Sequence, residues 1–154
     1  MTVYFAYGAN MERAAMAARC PSASAIGSAS LSGWRFVISC GGYASIAPAA
    51  GQAVHGVLWR LHARDLAALN IFESLDSGLY RRIHLPVVVE RRRVRSLIYV
   101  GRSDGKLRPR PGYLERVVAA ALDWNLPQRY IADLRRWAPS GYHGARPAET
   151  GELT

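Results

Sequence analysis

With 154 residues, half of them hydrophobic, the chain has the size and composition of a folded domain rather than of a disordered segment. No apolar run reaches the roughly 18 residues that a bilayer span needs, and the start lacks the basic region and long apolar core of a secretory leader, so the expected location is the cytoplasm. The formal charge of +9 comes almost wholly from arginine, but its densest cluster, Arg91-Arg92-Arg93-Val94-Arg95, lies between two apolar runs with no interleaved aromatic residues to stack bases, which argues against a nucleic-acid partner.

An apolar, aromatic run over 3–6 predicts a buried strand that breaks at Tyr7-Gly8-Ala9-Asn10. Gly8 offers conformational freedom for a sharp turn, Asn10 is a candidate N-cap, and a helix is predicted over 11–19, stopped by Pro21. Such a turn directs several backbone N–H groups from the positive end of a helix, a setting suited to an anionic ligand group. Next come a short strand over 25–31, a firmer one over 34–40 and a turn at Gly41-Gly42. A short strand over 45–47 is ended by Pro48, and an alternating strand covers 54–61.

Residues 65–73 carry a helical pattern, with Leu66, Leu69, Ile71 and Phe72 as its apolar face and 74–78 closing the segment. Glu73 directly follows Ile71 and Phe72, where partial desolvation would raise a carboxyl pKa toward that of a general base at neutral pH. Its charge at a helix C-terminus also opposes the helix dipole, which disfavours a purely structural role. A hairpin is predicted over 80–90 and 95–101, with the arginine cluster in its solvated turn, and Ser103-Asp104-Gly105 marks another turn. A helix over 112–125 carries Leu114, Val117, Val118, Ala121, Leu122 and Trp124 at near-helical spacing. Pro127 opens a last short helix with Tyr130, Ile131, Leu134 and Trp137. One domain is expected over 1–144, with a flexible tail over 145–154. Many strands with few, mostly late helices indicate an α+β fold whose largely antiparallel or mixed sheet can curl into a barrel.

Several common chemistries lack their signatures. There is no GxGxxG and no GxSxG, and Gly101-Arg102-Ser103-Asp104-Gly105-Lys106-Leu107 is one residue short of a P-loop and has no hydroxyl after its lysine. Cys20 and Cys40 form no CxxC pair and read as reduced thiols. His55, His62, His84 and His143 show no metal-ligand spacing, so no metal site is expected.

Taken in order, five motifs resemble the γ-glutamylcyclotransferase-like family. They are Tyr4-Phe5-Ala6-Tyr7-Gly8-Ala9-Asn10-Met11, Glu73 with Ser77-Gly78-Leu79-Tyr80, Pro109-Arg110-Pro111-Gly112-Tyr113, Leu126-Pro127-Gln128-Arg129-Tyr130, and Pro139-Ser140-Gly141-Tyr142-His143-Gly144. Each is short, and the specificity lies in their ordered combination over residues 2–144. The resemblance implies a small mixed-sheet barrel with flanking helices, in agreement with the strand-rich pattern. It also implies a reaction in which a γ-glutamyl small molecule cyclises to 5-oxoproline and releases a free amine. By the family pattern Glu73 is the general acid/base. The turn formed by Tyr7, Gly8, Ala9 and Asn10, with Ala6 before it, would hold the glutamyl α-carboxylate and amine through backbone groups. Tyr113 would close over the substrate, and Tyr80 would line the same cavity. No cofactor is called for, because nucleophile and electrophile share one molecule and orientation alone can supply effective molarities of about 10⁵ M or more.

One position departs from the family pattern: Ala9 stands where the signature has serine, which removes a hydroxyl and keeps the backbone N–H. The same departure motivates a second reading, a catalytically inactive module of this fold that binds an acidic small molecule. Neither the leaving amine nor the oligomeric state is legible in the sequence.

Overall fold

The computed structural model describes residues 1–73, 79–103 and 107–138. In chain order its elements are β1 (Thr2–Ala6), a 3₁₀ turn (Ala9–Met11), α1 (Arg13–Arg19), β2 (Ser24–Ile38), β3 (Ala44–Leu61), α2 (Ala63–Phe72), β4 (Tyr80–Val89), β5 (Arg92–Gly101), α3 (Tyr113–Asp123) and α4 (Gln128–Arg135). The strands close into a barrel in the order β1-β3-β2-β4-β5. Every pairing is antiparallel except β1 with β5, which meet in parallel at Tyr4 and Leu97, so the sheet is mixed as expected. Phe5, Met11, Met16, Leu58, Leu69 and Ile98 are fully buried. At about 1.5–3 kcal/mol for each large apolar side chain, such burial is the main force holding the barrel closed.

The strands are longer and fewer than the sequence pattern suggests. The predicted segments 25–31 and 34–40 are one strand, β2, with register shifts between Ala25 and Gly27 and between Ser32 and Trp34. Gly33, at φ +86, takes up the second irregularity, and bulges of this kind bend a strand without ending it. The segments 45–47 and 54–61 likewise fuse into β3. Pro48 does not terminate it, because it lies opposite Trp34 immediately past the bulge, a place where a missing N–H is tolerated.

The first helix starts at Arg13, after the 3₁₀ turn, rather than at residue 11. Asn10 is not its N-cap: Glu12 holds that position without a side-chain cap bond, and Asn10 is buried. On α2, Leu69 is buried and Leu66 partly so, whereas Ile71 is 81% exposed and Phe72 44%. Ile71 stands two residues beyond Leu69, about 200° around the helix, and so faces away from the core. The β4–β5 hairpin turns on Glu90 and Arg91, both at positive φ, as a two-residue type I′ turn requires. Arg91, Arg92, Arg93 and Arg95 are all exposed there.

Helices α3 and α4 cover one side of the barrel. Trp124 donates its indole N–H to Met11 O at 2.7 Å, and its carbonyl accepts from Ser28 Oγ at 2.9 Å, which fixes the 3₁₀ turn against α3 and β2. Cys20 is buried and Cys40 exposed, both free. No helix among the described residues is long and apolar enough to cross a membrane. The expectations for 74–78, for Asp104 and Gly105, for the 139–144 motif and for the tail over 145–154 lie outside the described residues.

Candidate active site

β1 lies between β3 and β5, and its last residue, Ala6, delivers the chain to the Tyr7–Asn10 turn. Met11 N–H bonds to Gly8 O and Glu12 N–H to Ala9 O, both at 3.1 Å, so the amides ahead of Met11 have no acceptor within the turn. Gly8 has φ −123, so positive φ is not what requires glycine here. The requirement is space, since a Cβ would lie 2.7 Å from the Tyr113 hydroxyl and 2.9 Å from Ala44 Cβ. Tyr113 opens α3 immediately after Gly112, whose φ of +78 turns the chain into the helix. Its hydroxyl accepts the Ala44 N–H at 3.1 Å and also takes a backbone hydrogen bond from Ala9. One phenol thus joins α3, the start of β3 and the turn.

These elements enclose a cavity of about 360 Å³. Its wall is largely tyrosine: Tyr4, Tyr7, Tyr43, Tyr80, Tyr99 and Tyr113. Tyr7 donates to the Tyr99 carbonyl, Tyr80 donates to Ala44 O at 3.1 Å, and Tyr99 donates to Asn70 Oδ1 at 2.6 Å. Asn10 Nδ2 donates to the Tyr4 hydroxyl at 3.0 Å, while its Oδ1 accepts from Arg19. Burial, reinforced by the negative charge of Glu73, pushes the phenols of Tyr4, Tyr7, Tyr80, Tyr99 and Tyr113 upward, Tyr113 to about 12. At neutral pH they are uncharged hydroxyls.

Glu73 follows α2 directly, its N–H bonded to Leu69 O at 2.8 Å. It is half-buried, and among the described residues its carboxylate has neither a hydrogen-bond partner nor an ion pair. Desolvation pushes its pKa up to about 7, against the opposing pull of the Arg19 guanidinium. Of the two apolar neighbours the sequence suggests, Ile71 points to solvent while Phe72 lines the cavity with Glu73, and the tyrosine cluster supplies much of the remaining wall. A carboxyl pushed toward neutral pH, in a cavity of neutral hydroxyls and without a hydrogen-bond partner among the described residues, is equipped to move a proton.

Tyr7, Gly8, Ala9, Asn10, Glu73, Tyr80 and Tyr113 all line this one cavity. Ala6 does not; it is buried in β1 opposite Val57. Tyr4, Arg19, Tyr43 and Tyr99 line the cavity without having been singled out from the sequence, although Tyr4 belongs to the same opening octapeptide. A second hollow, about 680 Å³, shares Leu79 and Tyr80 with the first, and among the described residues no carboxylate, histidine or cysteine lines it. Among the described residues no group of three or more His, Cys, Asp or Glu side chains is arranged to hold a metal ion.

Comparison with known proteins agrees with the fold. The gamma-glutamylcyclotransferases of Mus musculus and Homo sapiens are each 28% identical to the chain. The mouse alignment runs over 153 residues, 92% of this chain and 81% of that protein, and the human one over 162 residues, 98% and 86%. A solved gamma-glutamyl cyclotransferase has the same fold, with a TM-score of 0.82 at 24% identity over 99% of this chain and 96% of its own. The family described as gamma-glutamyl cyclotransferase, AIG2-like, matches residues 4–125, a span that takes in the barrel strands from Tyr4 onward, the Tyr7–Asn10 turn, Glu73 and Tyr113. The chain therefore belongs to the gamma-glutamyl cyclotransferase, AIG2-like family.

Proposed function

We propose that the protein converts a γ-glutamyl amine, amino acid or peptide to 5-oxoproline and a free amine, with Glu73 as the single acid/base. The carrying observation is the Glu73 carboxyl, without a hydrogen-bond or ion-pair partner among the described residues and pushed up to about 7 by burial, in the cavity that the Tyr7–Asn10 turn also lines. The Glu73 carboxylate takes a proton from the substrate's α-amine as that nitrogen attacks the γ-carbonyl carbon. The acid so formed returns the proton to the departing nitrogen as the original C–N bond breaks. Backbone N–H groups of the turn hold the glutamyl α-carboxylate, and the cavity folds the substrate into a ring-closing pose. Neutral tyrosines supply hydrogen bonds without competing for the proton. The unpaired cysteines suit a reducing compartment, the cytoplasm.

Ala9 fits this reading. Position 9 bonds to the Tyr113 hydroxyl through its backbone, a contact that needs no side-chain hydroxyl. The test is 5-oxoproline release from a panel of γ-glutamyl amino acids, peptides, ε-lysine and polyamine conjugates. Release from at least one is expected. Tight binding of 5-oxoproline by folded protein with no release from any member would instead support the inactive binding module that Ala9 also suggests.

Gly8→Ala probes the geometry of the cavity. The added methyl, 2.7 Å from the Tyr113 hydroxyl, has to displace that ring and loosen its bonds to Ala44 and Ala9. Because a misplacement of about 1 Å can cost about 10²-fold, kcat/KM is expected to fall by about that factor. A full-speed Gly8→Ala enzyme would remove Tyr113 from the reaction.

A further inference from the structure

Arg19 has no part in the cyclisation scheme, yet it lines the cavity beside Glu73. It is the last residue of α1, where a cation complements the helix dipole. The segment that follows is pinned to α2 by Cys20 Sγ to Asp65 O at 3.6 Å and by Ser22 N–H to Asp65 Oδ1 at 3.2 Å. Its guanidinium donates to Asn10 Oδ1 and lies 3.6 Å from the centre of the Phe72 ring, the residue just before Glu73. One side chain therefore connects the substrate-binding turn, the end of α2 and the neighbourhood of the proposed base.

We propose that Arg19 is a positioning residue: clamped by Asn10 and Phe72, it acts as a stand-off counter-charge that keeps the Glu73 carboxylate ionised and in register with the Tyr7–Asn10 turn. In its kinetic consequences this rests on the cyclotransferase reading; in its electrostatics it does not. Among the described residues the other groups lining the cavity with Glu73 supply no comparable charge. Tyr4 and Tyr7 at β1, Tyr80 on β4, Tyr99 on β5 and Tyr113 on α3 are buried phenols, and Tyr43 reaches in from the turn before β3. Arg116 on α3 also lines the cavity, but Glu12 pairs with it at 3.1 Å. Arg110 is turned to the Tyr43 ring at 5.2 Å.

The distance between Arg19 and Glu73 matters to the chemistry. A direct, bidentate arginine–carboxylate pair would occupy the lone pairs that must accept the substrate's proton and would hold the carboxyl well below neutral pH. Arg19 makes no such pair among the described residues. Its guanidinium is committed to an amide and a ring, so it biases ionisation without taking up the base. Burial and Arg19 therefore act in opposite directions on one carboxyl, and their balance leaves it near neutrality.

The experiment compares wild type with Arg19→Met, which keeps much of the stem and removes the charge, and Arg19→Lys, which restores the charge alone. The first readout is the titration of the Glu73 side-chain carboxyl followed by carbon NMR, its resonance assigned by disappearance in Glu73→Gln. Arg19→Met is expected to raise the midpoint by about one pH unit, and Arg19→Lys to return it most of the way. The second readout, the rising acid limb of kcat/KM, should move by the same amount. An unchanged Glu73 midpoint in Arg19→Met overturns the proposal, even if turnover drops evenly at every pH. Should Arg19→Met fail to fold, Phe72→Leu takes its place: loss of the stacking ring should shift the midpoint upward by less, and no shift rejects the idea. Because NMR reads Glu73 directly, absence of turnover would count against the cyclotransferase reading and not against the role of Arg19.

Discussion

Glu73→Gln is expected to lower kcat/KM for 5-oxoproline release by about 10³-fold or more, while the protein stays folded and retains affinity for 5-oxoproline. The amide has the shape of the acid but accepts no proton, and among the described residues no other carboxylate or histidine lines the cavity to replace it. The same variant has an opposite effect on stability. The folded-state pKa of Glu73 is about 7, against an ordinary value of 4.5. Between those values the native protein holds a proton that the unfolded chain has released, so this group makes stability fall as pH rises through the window. Above about pH 7 the cost of a charged, poorly solvated carboxylate is fully present, with an upper bound of about 3 kcal/mol. Denaturant unfolding at pH 5 and pH 8 should show wild type losing stability with rising pH, a loss that Glu73→Gln largely lacks. A variant that still cyclises at the wild-type rate would exclude Glu73 as the acid/base.

How far the site is legible in the sequence depends on how local each contact is. The Tyr7–Asn10 turn and Glu73 leave local marks, a strand that breaks into Tyr-Gly-Ala-Asn and a carboxylate at a helix end, whereas Tyr80 and Tyr113 are picked out only by the resemblance of their motifs to the family's. Tyr99 is picked out by neither. It reaches the cavity because β1 and β5 close the barrel in parallel, which sets its ring 5.8 Å from that of Tyr4. Arg19 is equally hidden, because an arginine ending a short helix usually faces solvent, and only the approach of α2 supplies the Phe72 ring. Asn10 carries a residue type suited to capping, but its donors and acceptors are satisfied by Tyr4 and Arg19, partners that only the folded chain brings together. The four predicted segments that became β2 and β3 fail for a related reason. Pro48 looks like a terminator in one dimension, yet it pairs with Trp34 just past the register shift that Gly33 takes up.

Gly56→Ala is expected to cause the largest loss of stability of any substitution considered. Gly56 lies in β3 opposite Ala29 of β2, beside the residue that pairs with Ala6. A Cβ there would lie 2.2 Å from the Ala6 carbonyl oxygen and 3.0 Å from two ring atoms of Phe5. The Phe5 ring is fully buried, and the oxygen belongs to the main chain of β1. Relief therefore requires β1 to move away from β3, at the expense of ladder hydrogen bonds and core contact together. Overpacking of a tight interior costs about 1–3 kcal/mol and sometimes more; with backbone as the obstacle, about 3 kcal/mol is expected, or roughly 6–12 °C in Tm for a chain of this size. A Tm within about 2 °C of wild type would show that β1 yields freely. The consequence reaches the site, because Ala6 is the residue from which the Tyr7–Asn10 turn departs. Survivors of Gly56→Ala assayed well below their Tm should still turn over more slowly than wild type, since the turn amides shift with β1 relative to Glu73 on α2. Gly8→Ala, by contrast, strains a tyrosine side chain at the edge of the same turn and should act mainly on turnover. The two glycines thus separate two requirements of one site: Gly56 sets where the turn begins, and Gly8 sets how closely Tyr113 approaches it.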